Sequence, residues 1–169
     1  MENKTVIIEG SARKNGDTYR VIEALNNTMA FEVVSLLDYA IGHYDYTNAN
    51  SNDDFISLME SLLSKYSTFV FITPVYWYTM SGRMKVFFDR LSDLLHYKKE
   101  LGRQLRGKNM LLISVSNADD RIEGFAKPFE ASAEYLGMQF LGDVHVWVRD
   151  RQLNNESKAR LEAFRSEQL

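Results

Sequence analysis

Two short stretches hold the residue types that could grip a charged, flat ligand. The first is GSARKNGDT, residues 10–18, between a β-rich apolar run and a helix-period segment. In such a turn backbone N–H groups converge, and the helix that follows adds the positive end of its dipole, so the loop suits an anion. Ser11 and Thr18 offer hydroxyl donors, Asn15 an amide, and Arg13 and Lys14 positive charge, while Gly10 and Gly16 let backbone approach closely. Together these groups fit a phosphate monoester. They do not form a triphosphate loop: five residues separate Gly10 from Gly16, and Asp17 stands where a lysine is needed. The glycine pattern of dinucleotide sites is absent too. Taken alone, an ordinary turn with surface Arg13 and Lys14 remains the alternative.

The second stretch is TPVYWYTMSG, residues 73–82, which packs Pro74, Val75, Tyr76, Trp77 and Tyr78 into consecutive positions. A connection carrying so much flat aromatic surface has either a packing partner or a ring-shaped ligand. A rigid loop from Pro74 can present the N–H groups of Tyr76 and Trp77 to the edge of a ring, and Thr79, Ser81 and Gly82 then open a helix. The alternative is that the aromatics pack against a second subunit or under a neighbouring loop. A third loop, Ser116-Asn117-Ala118-Asp119-Asp120, offers amide and hydroxyl groups to the far edge of such a ring. Asp119, Asp120, Arg121 and Glu123 beside it read as solvated surface.

Stepwise apolar runs place these loops. Expected strands are Thr5–Ile8, Phe31–Leu36, Phe69–Thr73, Met110–Val115 and Met138–Val148, the last bulged at Gly142. Helical spacing runs from Thr18 to Leu25, Phe55 to Leu63, Gly82 to Leu95, Pro128 to Leu136 and Glu156 to Phe164. Long polar connections fill residues 38–52 and 96–108. Strict alternation of strand and helix implies a parallel sheet covered on both faces. Five strands and five helices fit a flavodoxin-like, doubly wound, three-layer α/β/α fold over residues 1–169 as one domain. In such sheets ligands sit beyond the carboxyl ends of the strands, where strand order reverses, and flavodoxin with FMN is the standing illustration of that rule.

Bulk properties narrow the chemistry. The chain has 169 residues, net charge -3 and no cysteine. A mildly acidic protein lacks the basic footprint of a nucleic-acid binder. Without cysteine there is no disulfide, thiolate metal site or cysteine nucleophile. His43, His96 and His145 share no ligand spacing, so no metal is expected. His43 reads as solvated, His96 as a helix-end residue and His145 as a packed or edge strand histidine. No apolar stretch could span a membrane, and a cytoplasmic location is expected.

GSARKNGDT after a first strand, paired with TPVYWYTMSGRMKVFFDRL after a third, resembles the NAD(P)H-dependent FMN reductase and quinone reductase group of flavodoxin-like proteins. The likeness continues to YLGMQFLG near the end of the chain. It implies an enzyme that binds FMN without a covalent bond and passes two electrons from NADH or NADPH to a small-molecule acceptor: a quinone, azo or nitro compound, or free flavin. It also implies a homodimer with the flavin near the subunit interface. Ser11, Arg13, Asn15 and Thr18 would hold the phosphate, with Gly16 shaping the loop. Pro74, Val75, Tyr76 and Trp77 would frame the ring, with Ser81 and Gly82 behind, and Ser116 and Asn117 near its far edge. No side chain is singled out as a catalytic acid or base. A flavodoxin-type electron carrier or a non-catalytic FMN-binding module is the alternative. The cysteine cluster of the iron–sulfur branch is excluded, since AIGHYDYTNANSNDD has no cysteine.

Overall fold

The computed structural model describes residues 4–27 and 29–169. In chain order the elements are β1 (Thr5–Glu9), α1 (Asp17–Asn26), β2 (Glu32–Ser35), α2 (Asp54–Lys65), β3 (Thr68–Tyr76), β4 (Thr79–Met80), α3 (Gly82–His96), α4 (Lys99–Arg103), β5 (Asn109–Ser116), α5 (Lys127–Leu136), β6 (Gln139–Arg149), β7 (Gln152–Leu153) and α6 (Asn155–Gln168). Five of the strands form the expected parallel sheet in the order β2-β1-β3-β5-β6. The two-residue strands β4 and β7 add antiparallel ends to β3 and β6. From β1 the chain steps outward to β2 and then back across to β3, so strand order reverses between β1 and β3, where a doubly wound sheet opens a crevice.

The central strands are buried on both faces, which is why they read as continuous apolar runs. Alternate residues feed two separate cores. Val6, Ile8, Phe69, Phe71, Met110 and Leu112 pack with α2, α3 and α5 around Phe55, Phe87 and Phe129. Ile7, Val70, Ile72, Leu111 and Ile113 pack with α1 and α6. Three helices start on side-chain caps: the Asp53 carboxylate accepts the Phe55 N–H at 3.0 Å, the Ser81 hydroxyl the Met84 N–H at 3.1 Å, and Asn154 the Ser157 N–H at 2.8 Å. Between Met110 and Leu111 the register with β6 slips past Leu141, and Gly142 takes φ 138°, which forms the expected bulge.

The structure corrects two expectations. Pro74, Val75 and Tyr76 belong to a strand, not a loop, because β3 runs on to Tyr76. Proline is tolerated there because β1 ends its pairing at Glu9 opposite Ile72, so no neighbour on that side needs the missing N–H. The connection between residues 96 and 108 also contains the short helix α4. Among the described residues no helix is long and apolar enough to cross a membrane.

Candidate functional site

The reversal point carries a cleft of about 400 Å³ at the carboxyl ends of β1, β3 and β5. All three loops picked out in the sequence reach it. Ser11, Arg13 and Thr18 line one end, Pro74, Val75, Tyr76 and Trp77 one wall, and Ser116 and Asn117 the far side. Asp17, Tyr78, Val115 and Asp120 complete it. Asn15 instead lines a neighbouring groove between α1 and β2, with Lys14, Ser35 and Asp38.

The first loop leaves β1 in ladder register, with the Gly10 N–H donating to the Ile72 carbonyl at 2.9 Å. A side chain at position 10 would press on Met84, 2.9 Å from Cε and 3.0 Å from Cβ, so glycine lets the loop pack on α3 without a shift there. Ser11 folds the turn on itself: its hydroxyl donates to the Arg13 carbonyl at 3.1 Å and accepts the Arg13 N–H at 3.3 Å. Gly16 is the N-cap of α1 and supplies no capping side chain. The first N–H groups of that helix therefore have no helix partner and no cap from Gly16, and its dipole faces the cleft end beside the Asp17 carboxylate.

The aromatic wall is a β-hairpin. Val75 pairs with Met80 and Tyr76 with Thr79, leaving Trp77-Tyr78 as a two-residue turn. Both turn residues have positive φ, 49° and 66°, the pattern of a type I′ turn. Trp77 is 92% exposed and Tyr78 60%. Beneath the turn, the buried Thr73 hydroxyl accepts the Ser81 N–H at 3.0 Å. The Ser81 hydroxyl donates to the Gly10 carbonyl and accepts the Met84 N–H at 3.1 Å as the cap of α3. Ser81 thus lies behind the cleft wall and ties it to the first loop, and Gly82 is exposed at the start of α3. Ser81→Ala strands the Gly10 carbonyl and the Met84 N–H together. The expected loss is about 1–2 kcal/mol, a thermal midpoint lower by roughly 3–6 °C in a melting curve.

The third loop is held from below by a buried histidine. His145 on β6 approaches the Ala118 carbonyl through Nε2 at 3.2 Å and the Ser114 hydroxyl through Nδ1 at 3.0 Å. A carbonyl can only accept, so Nε2 carries the proton and Nδ1 accepts from Ser114. Arg121 in turn donates to Ser114 at 3.2 Å and pairs with Asp143. Burial pushes the His145 imidazole below its ordinary value, which keeps this chain of bonds in the neutral-ring form. The Ser116 hydroxyl donates to the Ala118 carbonyl and also meets Asp120 Oδ1 at 3.0 Å. Sequence reading placed Asp119 and Asp120 together on the surface. Asp119 does pair outward with Arg160, but Asp120 turns into the cleft. Nothing in the local composition separates the two; the fold of the turn does.

A doubly wound sheet with its cleft at this reversal point, between an uncapped helix start and an aromatic hairpin, defines a flavodoxin-like protein. The sequence profile of the NADPH-dependent FMN reductase family matches residues 3–152, and the chain belongs to that family. It is 30% identical over 151 residues to the Bacillus subtilis protein YwqN, which carries the name NAD(P)H-dependent FMN-containing oxidoreductase, covering 83% of each chain. Among solved structures it resembles the Trp repressor binding protein from Bacillus subtilis, with a TM-score of 0.76, 25% identity and 98% of both chains covered. General stress protein 14 from Treponema denticola, solved in complex with FMN, shares the fold at TM-score 0.66 and 18% identity over 96% of each chain. The protein is an oxidoreductase of the NAD(P)H- and FMN-dependent class, and FMN is its cofactor.

Proposed function

We propose that this cleft is the FMN site, with the phosphate at the start of α1 and the ring along the β3–β4 hairpin, and that the open side receives a flat aromatic or quinonoid electron acceptor. The observation that supports it is the pairing of an uncapped helix start with an aromatic hairpin across one cleft. The donor chemistry fits the cofactor end to end. Ser11, Arg13, Gly16 and Thr18 frame a phosphate, Pro74 to Trp77 a ring, and Ser116 and Asn117 a polar ring edge. Asn15, whose side chain faces the neighbouring groove, would contribute only through the loop backbone. The chemistry FMN supplies when bound is two-electron transfer from a reduced nicotinamide to a second substrate.

The residues of the chain bind and orient. The first N–H groups of α1 and the Arg13 guanidinium fix the anionic end, while the paired backbone of Val75 and Tyr76 holds the wall in the sheet's own register. Trp77 and Tyr78, exposed beside the cleft, shape the face that nicotinamide and acceptor share in turn. They are also apolar surface that a second copy of the chain would cover, with Tyr78 nearer the partner. We take residues 1–169 as one such domain, binding one flavin.

Purified protein tests this directly. The expected result is a yellow preparation, or one that takes up added FMN, bleached anaerobically by NADH or NADPH and recoloured by a quinone. A colourless protein indifferent to added FMN overturns the site. Bound FMN that neither nicotinamide bleaches overturns the turnover.

A further inference from the structure

Behind the anion end of the cleft, on the side of the groove between α1 and β2, lies a buried carboxylate. Glu9, the last residue of β1, is only 6% exposed, and its carboxylate lies under the start of α1. Oxygen Oε1 accepts the Ser11 N–H at 2.8 Å and the Thr18 hydroxyl at 3.2 Å, and Oε2 accepts the Ser35 hydroxyl at 2.7 Å. The cations of the adjoining loop already have carboxylate neighbours. Lys14 pairs with Asp38, and Arg13 leans to Asp17 at 3.8 Å. Asp17, in the first turn of α1, adds a second carboxylate that lines the cleft itself.

Two of the donors suited to a phosphate are thus spent on an internal carboxylate that the same helix dipole stabilises. We propose that Glu9 is a specificity residue: it fills part of the phosphate's role and so narrows the preference of the site for FMN over riboflavin. A phosphate dianion meets fewer free donors and a buried like charge, which disfavours it. Riboflavin ends in a neutral hydroxyl and meets neither penalty. The inference rests on the flavin site proposed above and assigns Glu9 its part in it.

Flavin fluorescence titrations of the wild type and of Glu9→Gln, with FMN and with riboflavin, test it. Glutamine keeps the shape of the side chain and an oxygen to accept from Ser11 and Thr18, while Ser35 accepts from the new amide. The expected result is FMN bound about tenfold tighter by the variant, with riboflavin affinity unchanged. Unchanged FMN affinity overturns the inference, as does an equal change for both flavins, which would make Glu9 a folding residue only. A measurement on the wild type alone is independent of how the variant folds. Its FMN and riboflavin dissociation constants are expected to lie within roughly tenfold to thirtyfold of each other. A preference on the order of a thousandfold overturns the inference. A wild type that binds neither flavin overturns the site and the inference together, whereas riboflavin binding with an indifferent Glu9→Gln overturns the inference alone.

Discussion

Replacing Arg90 with methionine is expected to destabilise the protein by about 3–5 kcal/mol and to lower its thermal midpoint by roughly 10 °C. Arg90 on α3 is 1% exposed, yet it carries a full charge. Its Nε donates to Asp93 Oδ2 at 2.7 Å, and its two terminal nitrogens reach the Asp53 carboxylate, the Gly42 carbonyl at 3.0 Å and the Asn50 carbonyl at 3.2 Å. The guanidinium also lies over the Phe55 ring, 4.9 Å from its centroid. Burial alone would push the guanidinium down, but its bonds to Asp53 and Asp93 outweigh that and the net direction is up. At Asp53 burial works to raise the carboxyl. The bond from Arg90, with the N–H groups of Phe55 and Gly42, more than offsets it and holds the group below its usual range.

Methionine would leave the buried Asp93 and the half-buried Asp53 without a counter-charge and remove the bonds from α3 to the Gly42 and Asn50 carbonyls. The pH dependence has a definite sign. A carboxyl lowered on folding contributes stability that is fully present above the unfolded value of about 4 and is lost as pH falls through the folded value. The deficit of Arg90→Met is therefore largest near neutral pH and shrinks in acid. Urea unfolding at neutral and acid pH measures it. Adding Asp53→Asn and Asp93→Asn should recover part of the loss; no recovery would show that unpaired charge is not its cause.

A second large effect runs the other way. Trp77→Asn with Tyr78→Gly is expected to stabilise the fold by about 2 kcal/mol, because bulky residues at positive φ are strained and Asn-Gly is the pair that a type I′ hairpin prefers. The same change strips the cleft of its exposed aromatic surface. Turnover with a quinone, as kcat/KM, should fall by an order of magnitude or more while the thermal midpoint rises by roughly 4–8 °C. A variant that melts no higher would mean the turn stores no strain. One that turns over as well as the wild type would take the two aromatics out of the acceptor face.

The fold was readable because its strands are short apolar runs separated by helical periods, and both signals survive without tertiary context. The two loops proposed to hold the flavin were readable because glycine, hydroxyl and aromatic clusters mark turns with a task. Reading failed where a residue's meaning depended on a distant neighbour. Pro74 signals a break until one sees that β1 has already left its side. Glu9 looks like any strand-end glutamate; only the nearness of Ser11, Thr18 and Ser35 makes it part of the anion end. Arg90 sits in a helical pattern as an ordinary surface arginine, and its partners Gly42, Asn50 and Asp53 come from a polar stretch that reads as a featureless loop. Asp120 differs from Asp119 only in which way a turn points it.

The Ser81 hydroxyl, set between the Gly10 carbonyl and the start of α3, has a consequence for how a two-ended ligand is held. In the flavin site proposed above, the loop at the charged end and the hairpin at the flat end share one strut, so loosening one would loosen the other. A molecule that settles one end finds the opposite end already ordered, and by reciprocity the benefit is the same in either direction. A ligand carrying both groups on one flexible chain therefore gains more than its two halves would separately, and the tether becomes part of what is recognised.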